Sequence, residues 1–391
     1  MKIAHICISN PFIDGWGYQE NLLAKYLQKV GTHNYIIASA NDFPTYLKQK
    51  DIEEIMAKGN RYLLNGLVVR RIQTKKISTS LVIPLGLTQI LEEIKPDVIF
   101  HHNFNCSSLP ISARYAKKKH IPLFCDNHAD SINMSKNKLW VWFYYKFLIR
   151  MSTQLYKHQI VKAYGVTHSR CDFIHDYYGL SRDKIDFLPI GSDVDLAEEI
   201  SHKSELRQKY GYNESDFVVV SGGKMGKEKR TDNLIEAVNE LHTHYPQLRL
   251  ILFGKFEDDD TKLLANHSGA TTVHGWCDRT KTLELLKMAN VACWPFHHTT
   301  LIEDAVAVCT PIINRKTGTS EHLINGNGVW VKDGTKDELK EALLQLLNPS
   351  KEQQNQIVHS CEKTKQTISY HTIAKKLLED ISVSFRGLDK T

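Results

Sequence analysis

The chain has 391 residues, 42% hydrophobic and 24% charged, with 50 Lys and Arg against 44 Asp and Glu and a formal net charge of +6. That length exceeds one ordinary domain and fits two of roughly 190 residues each. The composition excludes a disordered, collagenous or coiled-coil chain, and the mild basic balance admits a nucleic-acid, membrane or phosphate-rich partner until the charges are placed.

Residues 1–9 put one Lys before an apolar run that lacks a long hydrophobic region and a small-residue cleavage site, so they read as a first strand rather than a signal peptide. No run approaches the ~18 apolar residues of a membrane span. The eight cysteines, at Cys7, Cys106, Cys125, Cys171, Cys277, Cys293, Cys309 and Cys361, form no C-x-x-C pair. Several lie within apolar runs, as reduced buried thiols do, which points to the cytoplasm.

In chain order, strands are predicted at Ile3–Ile8, Tyr35–Ala38, Leu67–Ile72, Val98–His101 and Pro122–Asp126, with helices at Glu20–Val30, Leu87–Ile94 and Ile111–Lys119. Ser135–Ala163 reads as one long helix or a broken pair. A second series follows, with strands at Phe217–Ser221, Leu248–Phe253, Thr272–His274, Val291–Trp294 and Thr310–Asn314 and helices at Asp232–Leu241, Thr280–Ala289 and Leu301–Ala307. Alternating strands and helices predict α/β architecture with two doubly wound domains. The polar stretch Asp195–Lys203 sets a boundary at 197/198, giving domains 1–197 and 198–391, with the last helix, Thr372–Ile381, free to pack on either.

In such sheets ligands bind beyond the carboxyl ends of the strands. After the first strand comes Asp14-Gly15-Trp16-Gly17, either a plain tight turn or a close approach to an anion; Glu20 breaks G-x-G-x-x-G and disfavours a nicotinamide dinucleotide. After the strand at Phe217, the loop Ser221–Arg230 carries Lys224, Lys227, Lys229 and Arg230. It fails the Walker A pattern at Ser221 and Glu228 but suits a diphosphate; a solvated basic loop is the alternative. Thr300 and Glu303 match a T-x-x-E capping box, which leaves Asp304 for a ligand and the hydroxyls of Thr299 and Thr300 near phosphate. His297 and His298 have no partner at metal-ligand spacing, so no metal is expected.

His101 and His102 end one strand and His128 follows the next, positions from which a His can donate or accept a proton. Residues 135–163 combine six cations (Lys136, Lys138, Lys146, Arg150, Lys157, Lys162), no Asp or Glu, and six aromatics from Trp140 to Phe147. This fits an interfacial membrane helix or an amphipathic acceptor groove, or else a core helix whose cations snorkel. No nucleic-acid module is visible.

Taken together, this order of motifs resembles the family 4 glycosyltransferases of the two-domain GT-B fold over nearly the whole chain. Gly15-Trp16-Gly17 resembles the family's glycine turn, His128 the histidine that closes the catalytic cleft, and Leu188–Asp195 the P-N-G-V-D hinge signature. Lys224 and Lys229 match the R-x-x-x-x-K pair that binds the donor diphosphate, while Gly254 and Val273–Trp276 match loops flanking the donor and its base. Counting back from Pro311 puts Asp304 at the family's second Glu, which holds the ribose, with Glu303 beside it. The first Glu falls at Phe296, with His297 or His298 as replacements.

The resemblance implies a GT-B fold of two Rossmann-like domains facing each other across a cleft, and retaining, metal-independent transfer of a hexosyl or N-acetylhexosaminyl group with no cofactor. The donor would be a nucleotide sugar, a UDP-sugar favoured. The acceptor would be a glycan or lipid-linked molecule of bacterial polysaccharide or glycoconjugate synthesis, reached from the cytoplasm or the inner face of the plasma membrane through residues 135–163. His128 would contact the transferred sugar or the acceptor, Gly15, Gly17, Lys224, Lys229, Thr299 and Thr300 the diphosphate, and Asp304, Glu303, Gly254 and Trp276 the ribose and base. A nucleotide-sugar epimerase and a non-catalytic sugar-nucleotide binder are the alternatives.

Overall fold

A computed structural model describes residues 1–8, 10–45, 47–78, 81–104, 107–130 and 138–388. The chain divides into two units, one of Met1–Pro189 with Tyr370–Thr391, the other of Ile190–Ser369.

The first unit contains β1 (Lys2–Cys7), β2 (His33–Ser39), β3 (Arg61–Leu64), β4 (Leu67–Ile72), β5 (Thr74–Ser78), β6 (Leu81–Pro84), β7 (Val98–His101), β8 (Leu123–Asn127), β9 (Ile160–Gly165) and β10 (Ile185–Phe187). Eight strands form one sheet in the order β10-β9-β8-β7-β1-β2-β4-β3, while β5 and β6 form a separate hairpin. All neighbours in the large sheet run parallel except β3 on β4. Near-continuous burial along β1, β7 and β8 is what a parallel sheet covered on both faces requires.

Helix Gln19–Lys29 buries Leu22, Leu23, Tyr26 and Leu27 on one face of that sheet. The final helix, Tyr370–Leu388, joins the same cluster through Tyr370, Ile373, Ala374, Leu377 and Ile381. Asp380 fixes it there, paired to Lys162 at 2.6 Å and accepting from the Tyr164 hydroxyl at 2.7 Å.

The second unit contains β11 (Phe217–Met225), β12 (Leu248–Phe256), β13 (Thr271–His274), β14 (Val291–Trp294), β15 (Ile312–Arg315) and β16 (Gly328–Val331), in the order β13-β12-β11-β14-β15-β16. Every pair is parallel. Counted from its own first strand this is the 3-2-1-4-5-6 order of a Rossmann domain.

Three local readings differ from the structure. The division falls after Pro189, not at 197/198, because Leu196 and Ile200 pack into the second unit's core and Ser192 N–H donates to Ile368 O at 2.9 Å. Residues 160–163 belong to strand β9, not to a helix running to Ala163: Ile160 and Ala163 are fully buried and β9 pairs with both β8 and β10. The helical part is Lys138–Val141, a π-helical stretch Trp142–Ile149, then Arg150–Tyr156. Residues 135–137, including Lys136, lie outside the described residues.

Thr300 makes no capping box. Its backbone is already helical (φ −64°, ψ −8°) and its side chain accepts no cap bond, whereas Thr335, with the same T-x-x-E spacing to Glu338, is extended (φ −69°, ψ 158°) and forms the full box. An N-cap needs that extended geometry to aim its oxygen at the N3 amide.

Candidate functional site

The chain reverses sheet direction beside β1 in the first unit and beside β11 in the second, the places where doubly wound sheets form a crevice at the strands' carboxyl ends.

In the first unit, the loop after β1 carries Gly15 at φ +77°, with no atom beyond its two chain neighbours within 4 Å of where a Cβ would sit. Gly17 follows two residues on, partly exposed like Trp16. Asp14 anchors this turn. Its carboxylate accepts from Tyr62 Oη at 2.8 Å, Lys58 Nζ at 2.8 Å and Arg71 Nη2 at 3.1 Å, and Arg71 also donates to the carbonyls of Phe12 and Ser39. The Arg71 and Asp14 side chains are 3% and 7% exposed. Removing one partner of a buried pair leaves an uncompensated charge, so Arg71→Ala is expected to cost about 3–5 kcal/mol of folding free energy in urea titrations. A loss below about 1 kcal/mol, the range of a surface pair, would contradict this.

His128 lies one residue past β8, 22% exposed, with Nε2 3.6 Å from Oδ2 of the fully buried Asp126. That carboxylate also accepts from Asn103 N at 2.6 Å and lies 2.8 Å from His102 Nδ1. Burial alone would raise the Asp126 pKa, but His102 and His128 hold it well below the usual carboxylate range. For His128, burial works downward, yet Asp126 and then Glu20 outweigh it and the pKa is raised. His101 is buried and satisfied, with Nδ1 3.0 Å from Asn103 O and Nε2 2.8 Å from Ser108 Oγ, and so is structural.

Burial, helped by the neighbouring His102, lowers His5 and His101 to about 3 from 6.5. Between about 3 and 6.5 the unfolded chain therefore binds more protons at these two sites, so their contribution is complete above pH 6.5 and is lost as pH falls. His128, whose pKa is raised, works in the opposite direction, so the comparison is with a variant. His101→Gln, which removes one lowered site, is expected to raise the urea midpoint at pH 5.5 relative to that at pH 7.5, compared with the wild type and with an unchanged slope; an unchanged difference would contradict it.

In the second unit, Lys224, Lys229, Ser221, Gly222, Thr231, Trp294, His297, His298 and Thr299 line a cavity of about 170 Å³ at the β11/β14 switch point. Trp294 Nε1 donates to Gly222 O at 3.1 Å across the two strand ends, and Asn314 Nδ2 donates to Trp294 O at 2.6 Å. The structure sorts the basic loop's four cations. Lys227 is spent on Asp260 at 2.6 Å, and Arg230 lies over the Phe296 ring at 5.5 Å with Arg315 also over that ring at 4.3 Å. Lys224 and Lys229 make no salt bridge among the described residues and line the cavity. His297 is lowered by partial burial and by Lys229.

The other predicted site residues fall elsewhere. Thr300 is exposed outside that cavity, and Trp276 is 81% exposed. Gly254 (φ +112°), packed against the Gly223 backbone, lines a separate cavity of about 450 Å³ with Val273, His274 and Gly275. The expectation that Glu303 caps the helix and frees Asp304 is corrected on both counts. Glu303 is 3.0 Å from His298 Nε2, and Asp304 is held at both oxygens by Arg279, at 2.9 and 2.8 Å. A helical Thr300 leaves Glu303 no cap role, and a carboxylate as buried as Asp304 needs a cation.

Sequence reasoning missed Arg71, Asp126, Glu20, Arg279 and His5. Arg71 and His5 carried a signal, being polar residues inside strands otherwise read as apolar core. Arg279 carried none, since its pairing with Asp304 spans 25 residues.

Two family models match, Glycosyltransferase Family 4 over residues 21–196 and Glycosyl transferases group 1 over residues 202–363. The chain belongs to the family 4 glycosyltransferases. It is 32% identical over 109 residues to EpsD of Bacillus subtilis, by name a glycosyltransferase, a match spanning 26% of this chain and 28% of that relative's length. Among solved structures, a glycosyltransferase from Rickettsia africae superposes with a TM-score of 0.69 at 14% identity, covering 97% of each chain. Anabaena HepE in complex with UDP gives 0.70 at 15% identity, covering 98% of this chain and 100% of that one. These likenesses show the GT-B fold of two Rossmann-like domains.

Proposed function

We propose that this family 4 member transfers a hexosyl or N-acetylhexosaminyl group from a nucleotide sugar, a UDP-sugar favoured, to a hydroxyl of a glycan or lipid-linked acceptor, with retention and without a metal ion or cofactor, in bacterial polysaccharide or glycoconjugate synthesis. The observation that carries this reading is the pair Lys224 and Lys229, two cations without ion-pair partners among the described residues that line one cavity at a Rossmann switch point. Negative charge grows on the leaving diphosphate during transfer, and preset cations stabilise it without reorganising. Solved HepE complexes with UDP and with UDP-glucose support the donor class.

In this reading Thr299 adds a hydroxyl at the same cavity and the Gly15–Gly17 turn admits a bulky anion. His128 donates a hydrogen bond to the sugar or acceptor. Asp304 can reach a ribose only if Arg279 releases it. Incubation with radiolabelled UDP-, GDP- and ADP-sugars tests the reading, with free nucleoside diphosphate and a labelled acceptor as the expected result. An isomerised donor would point to an epimerase. Binding without turnover would point to a sugar-nucleotide binder, the reading that Phe296 and the closed Arg279–Asp304 pair favour.

The acceptor side includes a membrane contact. No helix of the described residues is long and apolar enough to cross a bilayer. Leu139, Trp142, Phe143 and Phe147 are nonetheless 81%, 58%, 43% and 46% exposed, with Lys146 and Arg150 exposed between and beyond them. Aromatic and basic side chains on one exposed segment suit an anionic lipid interface at the inner face of the plasma membrane. The protein is expected to sediment with anionic vesicles at low salt, less so at high salt, and Trp142→Ser with Phe147→Ser should abolish it. Equal binding by the double variant would remove this assignment.

A further inference from the structure

We propose that Asn34, His5 and His102 form a buried positioning line that ends on Asp126 and through it sets the orientation and charge of His128, with His102 held as a doubly protonated imidazolium. The line starts in the core and ends at the edge of the crevice. Thr32 Oγ1 donates to Leu27 O at 2.8 Å and accepts from Asn34 Nδ2 at 2.9 Å. The other end of that amide, Oδ1, can only accept, so His5 Nε2, 3.1 Å away, carries the proton. His5 Nδ1 and His102 Nε2, 3.1 Å apart, share one further proton, which makes one of the two rings an imidazolium. The charge belongs on His102, the ring that faces the Asp126 carboxylate, so His102 Nε2 donates and His5 Nδ1 accepts. The second nitrogen of His102, Nδ1, stands 2.8 Å from a carboxylate oxygen of Asp126 and must donate as well. A histidine donating from both nitrogens is the charged form.

The surroundings agree with this polarity. His5, His102 and Asp126 have no exposed surface, and the His5 and His102 rings stack with centroids 5.4 Å apart. Burial and the neighbouring His102 hold His5 neutral, with its pKa lowered to about 3. A buried carboxylate needs a paired cation, and His102 supplies it from within hydrogen-bond distance.

The consequence falls on His128. One Asp126 oxygen is engaged by Asn103 N and the other by His102, and His128 Nε2 faces the latter from 3.6 Å, an ion-pair distance but outside hydrogen-bond range. His128 therefore meets a carboxylate partly neutralised by His102 rather than a bare charge. Glu20 from the helix Gln19–Lys29 acts in the same direction as Asp126, and Arg170, itself paired to Asp130 at 3.2 Å, acts against them. Cys7 and His101 also border the line as neutral groups, the thiol raised by burial and the imidazole lowered by it. His5 and His102 are thus positioning residues, acting on His128 through Asp126.

The test is side-chain ¹H–¹⁵N NMR of the full chain labelled at histidine nitrogen. At pH 8 one imidazolium with both nitrogens protonated is expected, absent from His102→Gln, together with a neutral Nε2–H ring absent from His5→Gln. In His102→Gln the titration of His128, assigned with His128→Ala, is expected to move to higher pH, because the bare Asp126 carboxylate then holds the His128 proton more tightly. A spectrum with no imidazolium at pH 8, or a His128 midpoint unmoved in His102→Gln, overturns the proposal. If His102→Gln does not fold, the wild-type spectrum still decides.

The effect on turnover rests on the transfer reading, and the two fail separately. The NMR result stands or falls without any donor. Given an active enzyme, His102→Gln is expected to shift the pH profile of kcat upward with KM little changed. A profile identical to wild type would overturn the positioning role while leaving sugar transfer intact.

Discussion

Replacing both Lys224 and Lys229 by Ala is expected to lower nucleotide-sugar turnover by about 10²–10⁴-fold. Each contributes a charge-assisted contact worth roughly 1.5–3 kcal/mol, or about 10- to 150-fold in rate. Neighbouring cations that share one ligand do not add independently, so the combined loss falls short of the product of the single losses. Lys229→Ala alone is expected to cost more than about tenfold. Folding should be nearly unaffected, because neither side chain forms a salt bridge among the described residues and Lys224 is exposed. Steady-state kinetics of the double variant, beside its urea midpoint, separate the two effects. Wild-type turnover would remove the diphosphate assignment, whereas a large loss of stability would show that the lysines serve the fold. Lys224→Arg is a useful companion, since Arg offers the bidentate phosphate geometry that Lys lacks.

Loss of His128 is the second large effect. A positioned acid–base or hydrogen-bonding group typically contributes about 10²–10⁴-fold, and His128→Ala is expected to lower kcat within that range. Its environment also sets the pH dependence. Asp126 and Glu20 raise the His128 pKa against the effect of burial, so the charged, donating form persists to higher pH than for a free histidine. Activity that depends on that form declines as pH rises through the raised value. His128→Gln keeps a donor without a titrating proton and should retain part of the rate while losing this alkaline limb. A pH profile unchanged in His128→Gln would show that the limb belongs to another group.

Much of the fold was legible because strands and helices here announce themselves by periodicity. The bounds of Leu67–Ile72, Leu87–Ile94, Val98–His101, Val291–Trp294 and Leu301–Ala307 agree between sequence and structure. Residues 160–163 were not legible in the same way. An apolar run that continues a helical pattern reads as helix until a neighbouring strand offers its backbone, and β9 exists because β8 and β10 flank it. The two T-x-x-E motifs make the same point about local signals. Thr335 and Thr300 have the same spacing, but only the chain entering Thr335 is extended enough to cap.

The sequence by itself determined the two α/β units, the glycine turn after the first strand, the basic loop after β11 and the presence of His128 past a strand end. These follow from local patterns and short spacings. Only the tertiary structure decided which groups have partners. It tied Lys227 to Asp260 and Asp304 to Arg279, left Lys224 and Lys229 lining one cavity, and set Asp126 between His102 and His128. The physical reason is that a charge is consumed or left free by whatever the fold brings within about 4 Å of it, and those neighbours are distant in the chain.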